Sequence, residues 1–113
     1  MQLIILASGR GKRLKKHTKV RPKCMIEINN KPIIKYQSSL FKYFSRVIMI
    51  VGYKSDQIKK ALSSEDNIIF INNKNYKNTN MVYSLSLAKQ YINQDTVITY
   101  SDIIYNPKIV KTI

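Results

Sequence analysis

A short basic loop near the start of the chain has the residue types that bind a polyphosphate. It runs Ala7-Ser8-Gly9-Arg10-Gly11 and follows the apolar segment Gln2-Leu3-Ile4-Ile5-Leu6. Small residues let backbone N–H groups turn tightly and approach an anion closely. Cationic side chains that neutralise phosphate charge lie within or just after the loop, at Arg10, Lys12, Arg13 and Lys15. The loop therefore predicts a phosphate-binding site.

Two common phosphate motifs do not describe this loop. Leu14 stands where the dinucleotide fingerprint would need a third glycine, and the Gly-Lys-Ser/Thr of a P-loop is missing. An ordinary turn after a strand is the structural alternative, because glycine marks many turns that bind no ligand. Lys23, behind Pro22, supplies a further cation on a stiffened approach to the next apolar segment.

The elements that would position this loop alternate between apolar strands and amphipathic helices. The branched residues of Gln2-Leu3-Ile4-Ile5-Leu6 predict a strand buried on both faces, and further strands are expected at residues 24–28, 46–51, 67–71 and 96–101. Helices are expected after Pro32, after a cap at Ser55 or Asp56, and after a cap at Thr79 or Asn80. The apolar face of the last helix would carry Met81, Leu85, Ala88 and Ile92. This alternation predicts an α/β fold with a largely parallel sheet.

Length and composition fit one soluble globular domain covering residues 1–113. The chain has 113 residues, of which 44% are hydrophobic and 23% charged. An apolar run of the ~20 residues that a membrane span requires is missing, and a strand pattern begins at once, so we expect a cytoplasmic protein without membrane partners. The single cysteine, Cys24, stands beside Met25 and Ile26, which predicts a buried side chain rather than a nucleophile.

The net charge of +14 raises nucleic-acid binding as an alternative. Beyond the first loop, however, the lysines are scattered and form pairs at most, as at Lys59-Lys60. The accompanying abundance of isoleucine and asparagine is the bias that an AT-rich coding sequence produces. Nucleic acid is therefore an unfavoured partner, and part of the charge is assigned to the phosphate loop.

The whole first stretch resembles the signature of nucleotidyltransferases that make sugar nucleotides and cytidylylated choline phosphate. The resemblance rests on Leu6-Ala7-Ser8-Gly9-x-Gly11-x-Arg13-Leu14, then Thr18, then Pro22-Lys23. It implies that residues 6–9, Gly11, Arg13 and Lys23 bind the nucleotide, with Arg13 and Lys23 stabilising charge in catalysis. Ser8 departs from the family's usual alanine, and Lys16-His17 replaces a common Pro-Leu. The resemblance also implies a three-layer Rossmann-like fold of the nucleotide-diphospho-sugar transferase type, incomplete at its C-terminus.

Asp102 is the candidate metal ligand. It follows the strand expected at residues 96–101, and a carboxylate at that strand tip could hold Mg²⁺ against a triphosphate. From the residue pattern alone, an aspartate at a strand end is more commonly a turn residue. The resemblance places a metal-binding acidic residue at this step, and so implies Mg²⁺ as the cofactor and a catalytic role for Asp102.

A second stretch bears on the choice of nucleotide. Tyr76, Thr79, Asn80, Ser84 and Leu85 resemble the branch of the family that uses CTP on choline phosphate or related small phosphates. Asn80 and Ser84 are accordingly the candidates for base and ribose contacts. A capped core helix, with no ligand, is the structural alternative.

The resemblance implies transfer of a cytidylyl group from CTP to a small phosphorylated acceptor, with release of pyrophosphate. Family members run further, and the remainder carries the second metal carboxylate and most acceptor-binding groups. The alternatives are a sugar-1-phosphate enzyme using UTP or dTTP, and a truncated module that binds nucleotide or nucleic acid without catalysis. Homo-oligomerisation stays open.

Overall fold

The computed structural model describes residues 1–9 and 21–111. Within them, four strands form a parallel sheet and two short strands form a separate hairpin. The strands are β1 Gln2–Ala7, β2 Glu27–Ile28, β3 Lys31–Pro32, β4 Val47–Val51, β5 Ile68–Asn72 and β6 Thr96–Tyr100. The helices are α1 Ile33–Ser38, α2 Ser55–Ala61, α3 Met81–Leu87 and α4 Pro107–Lys111, and 3-10 turns span Lys23–Met25, Phe41–Tyr43 and Lys89–Tyr91.

The large sheet has the order β5-β4-β1-β6, with β1 parallel to both of its neighbours. Leu6 on β1 is in register with Ile50 on β4 and with Tyr100 on β6. The chain therefore builds the sheet outward from β1 in one direction through β4 and β5, and then returns to the other side of β1 with β6. Ligands of open α/β sheets bind at such a reversal, outside the carboxyl ends of the strands.

The sheet is covered on both faces, which confirms the predicted three-layer α/β fold. Ile34 of α1 and Ile58 of α2 pack with Leu3, Ile5 and alternate residues of β4 on one face. Leu85 and Ala88, in α3 and just after it, pack with Ile4, Ile48 and Ile50 on the other. β4 is buried along its whole length, because residues on both of its faces meet a helical layer.

Three local predictions are wrong. Residues 24–28 are a 3-10 turn followed by a two-residue strand, because Asn29 and Asn30 adopt positive φ and fold β2 back on β3 as a hairpin. Neither Ser55 nor Asp56 caps α2, since the helix begins at Ser55 itself, after Lys54 in the left-handed region. Strands β1, β4, β5 and β6 agree with the sequence to within one residue at each end.

The third wrong prediction is the apolar face of α3. Leu85 and Ala88 face the core, but Met81 and Ile92 are exposed. Ile92 falls outside because the α-helix stops at Leu87 and a tighter 3-10 turn changes the direction of the chain. Asn80 does cap the helix, as predicted, with its Oδ1 accepting from the Tyr83 N–H at 3.1 Å. Within the described residues, no helix is long and apolar enough to cross a membrane.

Gly52 lets three segments meet at the carboxyl end of the sheet. A Cβ on Gly52 would lie 2.8 Å from Tyr76 Cβ, 2.9 Å from the Ser8 carbonyl oxygen and 3.1 Å from that of Asn73. Two of these neighbours are backbone atoms, so the contacts could be relieved only by moving the loops.

We therefore expect Gly52→Ala to lower the free energy of unfolding by about 1–3 kcal/mol, the usual cost of overpacking. Urea denaturation followed by circular dichroism measures it. Gly9→Ala is the matched control, because its Cβ would meet no described atom within 4 Å and its φ lies outside the left-handed region. If Gly52→Ala proved as stable as Gly9→Ala, this close approach would not exist in solution.

Candidate functional site

A cavity of about 300 Å³ opens at the carboxyl ends of β1 and β6. This is the reversal point of the strand order, where the sheet topology predicts a ligand. The lining residues come from the end of β1, the 3-10 turn at Lys23–Met25, the start of α3 and the end of β6. They are Leu6, Ala7, Ser8, Gly9, Pro22, Lys23, Cys24, Met81, Tyr100, Ser101 and Asp102. Its volume lies within the range of small-molecule sites.

Lys23 and Asp102 meet in this cavity. Lys23 Nζ lies 2.7 Å from Asp102 Oδ2. Lys23 is fixed by the 3-10 turn, in which the Met25 N–H donates to the Pro22 carbonyl and the Ile26 N–H to the Lys23 carbonyl. Both side chains are partly exposed, and such ion pairs contribute little to stability. Breaking this ion pair to admit a ligand would therefore cost little free energy.

Cys24 lines the same cavity and is 1% exposed. Burial raises the pKa of its thiol to about 12, and a hydrogen bond with the Ser101 side chain offsets this only in part. The thiol is therefore neutral near neutral pH. Its predicted burial is confirmed, and it contributes shape rather than charge to the floor of the cavity.

Ser8 is held in place through both its backbone and its side chain. Its carbonyl accepts from the Tyr53 N–H at 3.2 Å, next to Gly52. Its hydroxyl is 2.7 Å from the Ser84 hydroxyl, which also accepts from Asn73 Nδ2 at 3.2 Å. Asn73, Ser8 and Ser84 are all buried. The network ties the end of β1 to α3 and to the residue following β5.

The cavity brings together most of the residues predicted from the sequence. Leu6, Ala7, Ser8, Gly9, Lys23 and Asp102 line it. Ser84 is only 2% exposed and reaches the cavity through Ser8. Asn80 is exposed at the start of α3, with its side chain engaged in the helix cap. Gly11 and Arg13 lie outside the described residues.

Sequence reasoning missed several residues of this site. Met81 and Tyr100 line the cavity, although the pattern assigned Met81 to the core and gave Tyr100 no role. Asn73 has a buried side chain that joins the serine pair. Its position directly after an apolar strand was the signal available, but the neighbouring asparagines and lysines made the segment look like an ordinary polar loop.

The donor set of the site suits a hard cation shared with a substrate. No group of three or more His, Cys, Asp or Glu side chains stands close enough to hold a metal ion in the described part of the chain. A single carboxylate such as Asp102 is nevertheless typical of Mg²⁺ sites, in which phosphates and water complete the coordination. The residues present therefore fit Mg²⁺ bound together with a nucleotide.

Residues 3–113 match a family model described as the MobA-like NTP transferase domain. A CTP:phosphoglutamine cytidylyltransferase of Campylobacter jejuni is 39% identical over 113 residues, which cover 93% of this chain and 45% of the relative. A choline-phosphate cytidylyltransferase of Streptococcus pneumoniae is 36% identical over 100 residues, which cover 87% of this chain and 43% of the relative. The chain thus spans less than half the length of these two relatives.

A solved structure shares the fold. The CTP:phosphocholine cytidylyltransferase of Streptococcus pneumoniae superposes with a TM-score of 0.80 at 33% identity, over 89% of this chain and 44% of the other. Such solved structures confirm the predicted Rossmann-like fold.

The Ser8–Ser84 contact generates a stability prediction. Ser84→Ala should lower the free energy of unfolding by about 1–3 kcal/mol, because the buried Ser8 hydroxyl loses its Ser84 partner and Asn73 Nδ2 keeps only its bond to Thr79 Oγ1. Ser8→Ala should also destabilise, and the double variant should cost less than the sum, with a coupling of about 0.5–1.5 kcal/mol. Urea denaturation of the four proteins in the cycle measures this coupling.

Ser86→Ala is the control for helix α3, since Ser86 is exposed and, among the described residues, its hydroxyl donates to the Tyr83 carbonyl one turn earlier. Additive effects of Ser8→Ala and Ser84→Ala would show that the two hydroxyls do not interact in solution.

Proposed function

Because the chain belongs to the MobA-like NTP transferase domain family, we propose that it is the nucleotide-binding part of a nucleotidyltransferase. The proposed reaction transfers a cytidylyl group from CTP to a small phosphate monoester such as choline phosphate. The observation that carries this proposal is the cavity at the reversal of the sheet, where a small-residue strand end, a lysine and a carboxylate converge. Both curated relatives named above are cytidylyltransferases, which supports CTP over UTP or dTTP.

The triphosphate is proposed to lie against the end of β1. A Cβ on Gly9 would meet no atom of the described residues within 4 Å, so a ligand is proposed to approach the backbone there. Lys23 would neutralise phosphate charge, and Arg13 is proposed to share this task. In such reactions the stabilisation of charge on the transferring and leaving groups is a large part of catalysis.

Asp102 is proposed to hold Mg²⁺ against the phosphates. When bound, Mg²⁺ would supply charge neutralisation of the phosphate oxygens and help to orient them. Lys23, which now contacts Asp102 Oδ2, would turn toward a phosphate when nucleotide enters. Because an exposed ion pair is weak, this exchange of partners costs little.

The chemistry requires no general base. An oxygen of the acceptor phosphate, already ionised, attacks the α-phosphorus and forms a new O–P bond. The bond between the α-phosphorus and the oxygen that bridges it to the β-phosphate breaks, and that oxygen leaves with pyrophosphate. The protein must hold the two phosphates in line. Ser84, through Ser8, would fix the shape of the phosphate pocket, and Asn80 is proposed to contact the base.

The choice of base gives a direct test. CTP should raise the melting temperature more than ATP, GTP or UTP at equal concentration and with Mg²⁺, because preferential binding to the native state stabilises it. UTP is the informative control, since it differs from CTP at the base edge and hydrogen-bonded sites reject such analogues sharply. Differential scanning fluorimetry measures the shifts.

Equal shifts with all four nucleotides would mean that only the phosphates are recognised, and would remove the cytidylyl assignment. A larger shift with UTP or dTTP would favour a sugar-1-phosphate enzyme. An absence of any shift would contradict nucleotide binding by this chain.

The metal role of Asp102 can be tested separately. Asp102→Asn preserves size and removes the charge, so binding of CTP with Mg²⁺ should weaken to the affinity measured in chelator, while binding in chelator changes little. Isothermal titration calorimetry with and without chelator measures both affinities. Equal weakening under both conditions would mean that Asp102 only shapes the strand end.

A further inference from the structure

Gln37 is a buried amide that connects helix α1 to the turn carrying Asp102. It is 3% exposed. Its Nε2 donates to the Tyr100 carbonyl at 2.7 Å and to the Ile103 carbonyl at 2.6 Å. These carbonyls belong to the residues on either side of Ser101-Asp102. One amide group therefore bridges both ends of the turn.

The orientation of this amide is fixed by its partners. Carbonyl oxygens accept hydrogen bonds and cannot donate them, so only the NH₂ end of Gln37 can face the turn. Its Oε1 is buried without a hydrogen-bond partner among the described residues. A buried acceptor without a partner is costly, so the oxygen of this amide does not stabilise the fold. The two donated bonds are what the side chain contributes.

Other contacts hold the same turn from different directions. The Ser101 N–H donates to the Leu6 carbonyl at 3.3 Å, and the Ser101 side chain bonds with Cys24. Both involve the residue before Asp102. Gln37 bonds the residues on both sides of Ser101-Asp102, and so restrains the backbone that carries the Asp102 carboxylate. Lys23 contacts the carboxylate itself.

We propose that Gln37 is a positioning residue that sets the orientation of Asp102 toward the metal ion and nucleotide. This proposal rests on the proposed function, in which Asp102 holds Mg²⁺. Gln37 lies in α1 and is not among the residues lining the cavity. Its effect on binding would pass entirely through the turn.

The test compares two buried glutamines at opposite ends of the sheet. Gln37→Met keeps an unbranched side chain and removes both donors. Gln2→Met is the matched control, because Gln2 is also buried and donates two bonds, to the Tyr91 carbonyl at 2.6 Å and to Thr96 Oγ1 at 3.0 Å. It lies at the amino end of β1, away from Asp102.

The quantity measured is the ratio of the CTP dissociation constant in chelator to that in Mg²⁺. Gln37→Met should lower this enhancement about 10-fold, the lower end of the effect of losing an outer partner of a metal ligand, because Gln37 bonds the backbone beside Asp102 rather than its carboxylate. Gln2→Met should leave the enhancement unchanged, although it lowers the melting temperature. A structural role for Gln37 would affect stability only, so equal enhancement in the two variants would overturn the proposal.

A double-variant cycle separates this proposal from the function on which it rests. Asp102→Asn should abolish the Mg²⁺ enhancement, and adding Gln37→Met should then lower it no further. If Asp102→Asn alone has no effect, the metal role of Asp102 is wrong and the positioning role falls with it. If Asp102→Asn removes the enhancement and Gln37→Met does not, only the positioning role is overturned.

If Gln37→Met does not fold, nuclear magnetic resonance of the protein with Gln37 in place still tests the proposal. The side-chain NH₂ resonances of Gln37 should shift when Mg²⁺ is added to the CTP-bound protein, and those of Gln2 should not. The shift should be lost in Asp102→Asn. Unshifted Gln37 resonances would overturn the proposal.

Discussion

The parallel pairing of β1 with β6 is the constraint on which the candidate site depends. Leu6 is in register with Tyr100, so Ser8-Gly9 and Ser101-Asp102 emerge at the same edge, although more than 90 residues separate them along the chain. Parallel strands direct their carboxyl ends the same way, and the reversal of strand order on β1 leaves a crevice between them. The described residues that line the cavity lie at these two strand ends or pack against them.

The electrostatics of the site differ from those of the chain as a whole. The net charge of +14 is spread over many lysines, whereas the cavity contains one described cation, Lys23, paired with Asp102. The groups around them are neutral: a thiol whose pKa is about 12, small backbone segments and buried hydroxyls. Because the surrounding groups are neutral, Lys23 and Asp102 are the described charges that could bind a ligand. Their exposed ion pair can be broken at little cost in free energy.

The sequence predicted most of the sheet because β1, β4 and β6 are short branched runs bounded by turn residues. The small-residue loop predicted Ser8, and the family resemblance predicted Lys23 and Asp102; all three line the cavity. The sequence could not supply the strand order, because periodicity does not say which strands are neighbours. Nor could it find Gln37 and Asn73, whose roles arise from hydrogen bonds between distant segments. Ser8 was predicted as a residue of the phosphate loop, but its pairing with the Ser84 hydroxyl needed the structure.

Backbone amide chemical shifts on titration with Mg²⁺ and CTP test most directly whether nucleotide binds at the carboxyl ends of β1 and β6. The largest changes should occur at Ser8, Gly9, Lys23 and Asp102. Amides at the opposite end of the sheet, such as those of Arg46 and Asn93, should remain unchanged. Changes concentrated at that opposite end, or spread evenly over the lysine-bearing surface, would show that nucleotide does not bind at the ends of β1 and β6.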